Sequence, residues 1–178
     1  AIEMIADEFA ALRPVLDPLA PRSIADIGCG YAFFDLFAQR AYGADVLLVD
    51  IEESDRRHFG FESEGAAYTS LAKAQEFLTA NGVPAPRIAT WNPQKQDLDA
   101  DRPVDLAISL LSCGFHYPVD MYMPFFRFGV RRGGAVILDL RAAQVEAISP
   151  VLARLGRVAV IETRHDRARV ILRKKGRP

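Results

Sequence analysis

The chain has 178 residues, half of them hydrophobic and a quarter charged, with 22 basic and 23 acidic side chains giving a formal net charge of −1. This composition suits one folded domain over residues 1–178 and excludes a general electrostatic attraction to nucleic acid or anionic lipid. Apolar runs fall short of the roughly 20 residues a membrane span needs, and two distant cysteines, Cys29 and Cys113, suggest free thiols in a reducing, cytoplasmic compartment.

In chain order, Ile2 to Leu16 carries apolar residues at helical spacing mixed with acids, unlike a secretory signal. Breakers follow at Asp17-Pro18 and Pro21. Ser23 to Ile27 reads as a short buried strand, and Phe33 to Tyr42 as a helix stopped by Gly43. Val46 to Val49 is a second strand closed by Asp50. Ala66 to Ala80 is helix-forming and stops at Asn81-Gly82; Arg87 to Trp91 and Val104 to Leu111 are strands. Asp120 to Val130 is expected to be helical, Gly133-Gly134 leads into a strand from Ala135 to Leu140, and Arg141 to Leu155 is a helix weakened at Pro150. Two alternating runs, RVAVIET and ARVILRK, flank the polar RHDR as a hairpin. Strands alternating with helices require a parallel sheet covered on both faces. The predicted fold is therefore an α/β three-layer, Rossmann-like sandwich. Its mostly parallel seven-stranded sheet ends in an antiparallel β-hairpin.

The stretch Ala25-Asp26-Ile27-Gly28-Cys29-Gly30 ends a strand and opens a helix, as a nucleotide cradle does. The third glycine of the dinucleotide fingerprint is replaced by Phe33, which would crowd the close packing that glycine permits. Asp26 would also repel a pyrophosphate at short range. The same acid would welcome a nucleoside with a cationic remainder. Asp50, at the end of the second strand, is placed to accept hydrogen bonds from both ribose hydroxyls.

With the strand-end acid, the VD-led fourth strand, the GG-led fifth strand and the terminal hairpin, Asp26-Ile27-Gly28-Cys29-Gly30 resembles the class I S-adenosylmethionine-dependent methyltransferases. The likeness runs from Ile24 to about Leu172 in order of elements, and Ala32 stands where that family has a third small residue. The resemblance implies S-adenosylmethionine as cofactor and a methyl-transfer reaction, and it leaves the acceptor open. It places Asp26, Gly28, Cys29, Gly30, Tyr31, Asp50, Ile51, Asn92, Ser109 and Leu110 around the cofactor. Asn92, beside Trp91, would read adenine, Ile51 would cover its face, and Ser109 to Leu111 would line the reactive side.

Transfer to an alcohol or amine needs an aligned acceptor and a proton acceptor. The loop Ser112 to Tyr122 leaves the carboxyl end of the fourth strand, where ligands of such sheets bind. His116 is the candidate general base and Asp120 its orienting or substrate-binding partner, since an imidazole exchanges protons readily near neutrality. Tyr117, Tyr122, Phe61 and Arg141 are candidate substrate contacts, Phe61 within an aromatic acceptor-side lid with Phe59 and Tyr68. Cys113 lacks the preceding proline of a cytosine-methylating nucleophile and reads as a small buried thiol. His58, His116 and His165 are too dispersed for a metal site. The basic run from Arg164 to Arg177 reads as a solvated strand face with Val170 and Leu172 inward, and the apolar MYMPFFRFGV as a homodimer interface or a sheet-facing segment. The expected activity is methyl transfer to a small-molecule acceptor, on oxygen and of sugar type. The competing readings are a non-catalytic, cofactor-binding partner subunit and a nicotinamide oxidoreductase, which Asp26 and Phe33 oppose.

Overall fold

A computed structural model describes residues 2–52 and 70–176. The expected lid residues Phe59, Phe61 and Tyr68 lie outside the described residues. Seven strands form one sheet in the order β3-β2-β1-β4-β5-β7-β6: β1 Ser23–Ile27, β2 Asp45–Val49, β3 Ile88–Trp91, β4 Val104–Ser109, β5 Val130–Arg141, β6 Gly156–Arg164 and β7 Arg167–Lys174. The first five pair in parallel; β7 runs antiparallel between β5 and β6. The helices are α1 Ile2–Leu19, α2 Phe33–Tyr42, α3 Leu71–Ala80 and α4 Val145–Ala153.

Period-two alternation sorts the strand side chains into two layers. Ile24, Leu106, Ile108, Ile137 and Ile171 face α1 and α2, with Val46 and Leu48 continuing that layer beneath α3. Ala25, Ile27, Val49, Ala107, Leu138, Leu140, Val170 and Leu172 face the opposite side. Each fully buried Leu or Ile there contributes about 1.5–3 kcal/mol. α1 runs three residues past its predicted end, because Leu16 is buried and Asp17 is tied by Arg13 (2.6 Å) and the Tyr42 hydroxyl (2.7 Å).

Expectations change in two segments, residues 120–140 and the hairpin. The predicted helix from Asp120 to Val130 is instead a 3-10 turn, Val119–Tyr122, and a single π turn, Phe125–Gly129, after which β5 begins at Val130. The Phe125 ring lies where a side chain at Gly129 would sit, so the glycine lets this short segment press Phe125 and Phe126 into the core. Gly133-Gly134 lies inside β5 rather than before it. A side chain at Gly134 would meet the Asp105 carbonyl, and the β4–β5 register shifts between Val104 and Leu106. Met121 and Phe128 alone among the large apolar side chains of MYMPFFRFGV are well exposed.

The second change concerns the hairpin charges. Because β7 is interior to the sheet, Arg167 and Arg169 turn toward α1 rather than to water, and Arg169 is only 1% exposed. Val170 and Leu172 do face the core. No helix among the described residues is long and apolar enough to cross a membrane.

Candidate functional site

The carboxyl ends of β1, β2 and β4 meet at the glycine turn. Gly28 donates its amide to the Val49 carbonyl (2.8 Å), which locks the turn onto β2. Its φ of +77° is a left-handed value, and a side chain there would strike the Ser112 hydroxyl. Gly30, also left-handed at +54°, has nothing within 4 Å of where its side chain would project. The two glycines therefore differ in role: Gly28 admits the β4 loop, and Gly30 leaves open space. Gly28→Ala should cost about 1–3 kcal/mol of stability through strain and collision. Gly30→Ala should cost about 1 kcal/mol, its left-handed conformation alone, and show its effect in ligand affinity. Urea denaturation of both variants checks the contrast.

Asp26 is 5% exposed and has the strand parity of Ile24, so it faces α2 rather than standing at the open mouth of the site. Against it lies Asp35, in the first turn of α2 and fully buried. Burial pushes Asp26 up to about 7, and the Asp50 charge adds to the rise. Asp35 is held well above the carboxylate range by burial and by the Asp26 charge. Asp50 is buried at the end of β2, and its Oδ1 accepts the Glu52 amide (2.8 Å). Burial and the three acids push the Cys29 thiol up, and burial does the same to Cys113, so neither is an activated nucleophile. Tyr31 stands half-exposed at the rim, its ring stacked on Phe33 at 5.9 Å.

Other expected cofactor residues prove to be occupied by the protein. The Asn92 amide nitrogen donates to the Ile51 carbonyl and the Glu52 carboxylate (both 3.1 Å), and its oxygen accepts the Gln94 amide (3.0 Å). This group joins the ends of β2 and β3 and backs Ile51. The Ser109 hydroxyl bridges the Ile27 carbonyl and the Cys113 amide, both at 2.8 Å, and so pins β4 to β1 beneath the loop. Leu110 packs with the layer under α1 and α2.

Ser112 links the glycine turn to a second concavity. Its side chain packs on Gly28, while its carbonyl receives the amides of Phe115 (3.1 Å), His116 (2.9 Å) and Tyr117 (3.1 Å). The coiled loop forms one wall of a groove of about 560 Å³, and the start of α4 forms the other. His116, Tyr117, Asp120 and Arg141 line it together with Gln144, over an apolar floor that includes Val119 and Ile148. Arg141 lies 4.7 Å over the Phe115 ring and donates to the Phe115 carbonyl (3.0 Å). Four candidates dispersed in sequence are thus brought to one groove. Tyr122 is not among them: it is 3% exposed within the core, where burial raises its hydroxyl pKa. It packs in the core, apart from the groove that gathers the other four side chains. A second cavity of about 540 Å³, lined by Asp45, Arg87, Trp91 and Arg102, opens over the β2–β3 face, away from all these groups.

Asp35, Ser112 and Gln144 carry no site signal of their own in the sequence. Asp35 looks like an ordinary first-turn acid; the available signal was its place in a helix whose neighbours Phe34 and Leu36 are both apolar.

No protein-family model and no curated protein matches the chain by sequence. Solved structures do match in fold. An O-methyltransferase family protein from Burkholderia thailandensis aligns over 97% of this chain and 59% of its own, with 13% identity and a TM-score of 0.59. A T. thermophilus 16S rRNA N2 G1207 methyltransferase in complex with AdoMet and guanosine aligns over 98% and 43%, with 19% identity and a TM-score of 0.64. The O-methyltransferase TomG from Streptomyces achromogenes, in complex with SAM, aligns over 95% and 80%, with 14% identity and a TM-score of 0.61. The chain spans less than two thirds of the first two proteins. It has the class I methyltransferase fold.

Proposed function

We propose that this fold serves an S-adenosylmethionine-dependent methyltransferase whose acceptor is the hydroxyl oxygen of a small polyhydroxylated molecule, with sugars the favoured class. The observation that carries the reading is the junction at Ser112, which joins an acidic glycine turn directly to a groove holding His116, Tyr117, Asp120 and Arg141. The turn fits the cofactor chemically. Its acids suit a cationic amino-acid end, no Lys or Arg among the described residues is ion-paired with Asp26 or Asp35, and the space beside Gly30 is open. When bound, the cofactor supplies a methyl group already activated on a sulfonium.

The chain's own residues would do the rest. Asp50, oriented by the Glu52 amide, accepts from ribose hydroxyls, and Asp26, buried behind the turn, lends its negative charge to the ammonium end through the field it sets up there. Arg141, Tyr117 and Gln144 donate to acceptor oxygens, while Val119 and Ile148 meet the apolar C–H face that a sugar ring presents. His116 takes the proton that the acceptor hydroxyl gives up, and Asp120 holds the acceptor or the imidazole in register. The buried, unactivated thiols support oxygen transfer without a covalent enzyme intermediate.

Calorimetry with S-adenosylhomocysteine and with NADH, followed by transfer of a labelled methyl group to a panel of sugars, sugar nucleotides and RNA, tests the assignment. Binding of S-adenosylhomocysteine alone and labelling of a sugar are expected. Asp50→Ala should weaken that binding by at least about tenfold, the scale of hydrogen bonds to a charged group. NADH binding overturns the cofactor. Labelled RNA overturns the acceptor class, and tight binding with no transfer to any acceptor makes the chain a binding subunit.

A further inference from the structure

Asp35 belongs neither to the glycine turn nor to the groove, yet it is fully buried, and neither of its carboxyl oxygens has a hydrogen-bond partner among the described residues. An isolated carboxylate is strongly disfavoured in such a place. The group it does face is Asp26. Asp26 points off β1 toward α2, Asp35 lies on the buried face of α2's first turn, and each carboxyl acts electrostatically on the other. Two facing buried carboxyls with no counter-ion disfavour double ionisation, so the pair retains at least one proton. The other titratable groups acting on it are Asp50, at the end of β2, and the Cys29 thiol in the turn, and both are acidic. No described basic side chain is ion-paired with either member.

We propose that Asp35 is a positioning residue that holds a proton against Asp26 and so sets how strongly the pocket attracts the cationic amino-acid end of its ligand, with ligand binding and proton release linked. The inference rests on the cofactor reading above and deepens it. The proton balance is simple. With both carboxyls protonated the pair is neutral, and a cationic ligand gains nothing from it. Binding favours Asp26 as the anion, so one proton leaves to solvent while Asp35 keeps its own and donates it to Asp26. Burial pushes the Asp26 carboxyl up to about 7. Affinity should therefore rise by about tenfold between pH 6 and pH 8 and level off above, with up to one proton released at pH 6 and almost none at pH 8.

Two substitutions at Asp35 separate this role from mere packing. Asp35→Asn retains a donor to Asp26 and removes the competing carboxyl, so binding at pH 6 tightens and the pH profile flattens to less than about threefold. Asp35→Leu removes the donor, keeps Asp26 neutral to higher pH and weakens binding at both values. A structural role alone predicts that both weaken binding alike. Calorimetry with S-adenosylhomocysteine in buffers of different ionisation enthalpy reads affinity and proton count together. In ligand-free protein, carbon-detected titration of the Asp26 carboxyl should shift downward in pH for Asp35→Asn and upward for Asp35→Leu. Parallel pH profiles in wild type and Asp35→Asn, or an Asp26 midpoint that neither substitution moves, overturns the proposal. Absence of binding at every pH removes the cofactor reading and the ligand linkage, while the titration still decides whether Asp35 holds the proton.

Discussion

Replacing His116 with alanine lowers kcat for methyl transfer by about 10²–10⁴-fold, the usual contribution of a positioned general base, and leaves S-adenosylhomocysteine affinity within roughly twofold of wild type. The separation is expected because the ring and the backbone at this position have different attachments. The His116 amide is held by the Ser112 carbonyl, so the loop keeps its shape without the imidazole. The ring lies exposed on the groove side, against Phe115 at 5.2 Å, and removing it leaves the core untouched. A lost rate therefore reports chemistry rather than folding. Single-turnover rates with the acceptor identified by the labelling screen measure it, and added free imidazole should restore part of the activity. An unchanged single-turnover rate would show that the acceptor proton goes elsewhere, with Asp120 the nearest alternative on the same groove wall.

Elements whose signals are local were legible in the sequence. The strand Ser23–Ile27 and the helix Phe33–Tyr42 have the bounds that the apolar run, the glycine turn and Gly43 imply. So does the hairpin, since two alternating runs around a polar turn pair with each other first. Properties that depend on which element lies next to which were not legible. Arg169 alternates along β7 like any solvent-facing residue, and only the insertion of β7 between β5 and β6 buries it. Tyr122 follows a polar loop in sequence, but the Phe125–Gly129 turn draws it under the sheet. Asn92 has a side chain suited to an adenine edge, and the same donors and acceptor close the junction between β2 and β3 instead. In the site, the glycines and strand-end acids were visible as a motif. The buried partner of Asp26 was not, because an acid in a helix's first turn ordinarily has a sufficient explanation in the helix dipole.

Arg169→Ala should destabilise the protein by about 3–5 kcal/mol, a large part of the roughly 5–15 kcal/mol that holds a domain of this kind together. The Arg169 guanidinium forms a two-pronged pair with Asp139 (2.7 and 3.0 Å) and also meets Glu8 (2.9 Å) and Glu162 (3.3 Å). Arg167 repeats the pattern toward Asp139 (3.3 Å) and Glu8 (3.2 Å), and Arg164 pairs with Glu162 and Glu8. Three acids and three arginines thus tie α1 to β5, β6 and β7. Removing Arg169 leaves Asp139 fully buried with only Arg167 beside it, and the uncompensated charge, rather than the lost attraction, dominates the cost. Asp139→Leu combined with Arg169→Met should recover most of the stability, because the desolvation of both ions is relieved together. The pH response has a definite sense. Burial raises the Glu8 carboxyl, but hydrogen bonds and charges from Arg169 and Arg167 outweigh it and hold the group below its ordinary value. Its contribution is present above the ordinary carboxylate range and is lost as pH falls through it. Urea denaturation at pH 7 and pH 4 should therefore show a smaller difference between wild type and Arg169→Ala at the lower pH. Equal differences at both would mean that the Glu8 charge adds nothing to the network, and no loss at either would mean that α1 is held by Phe9, Leu12 and Leu16 alone.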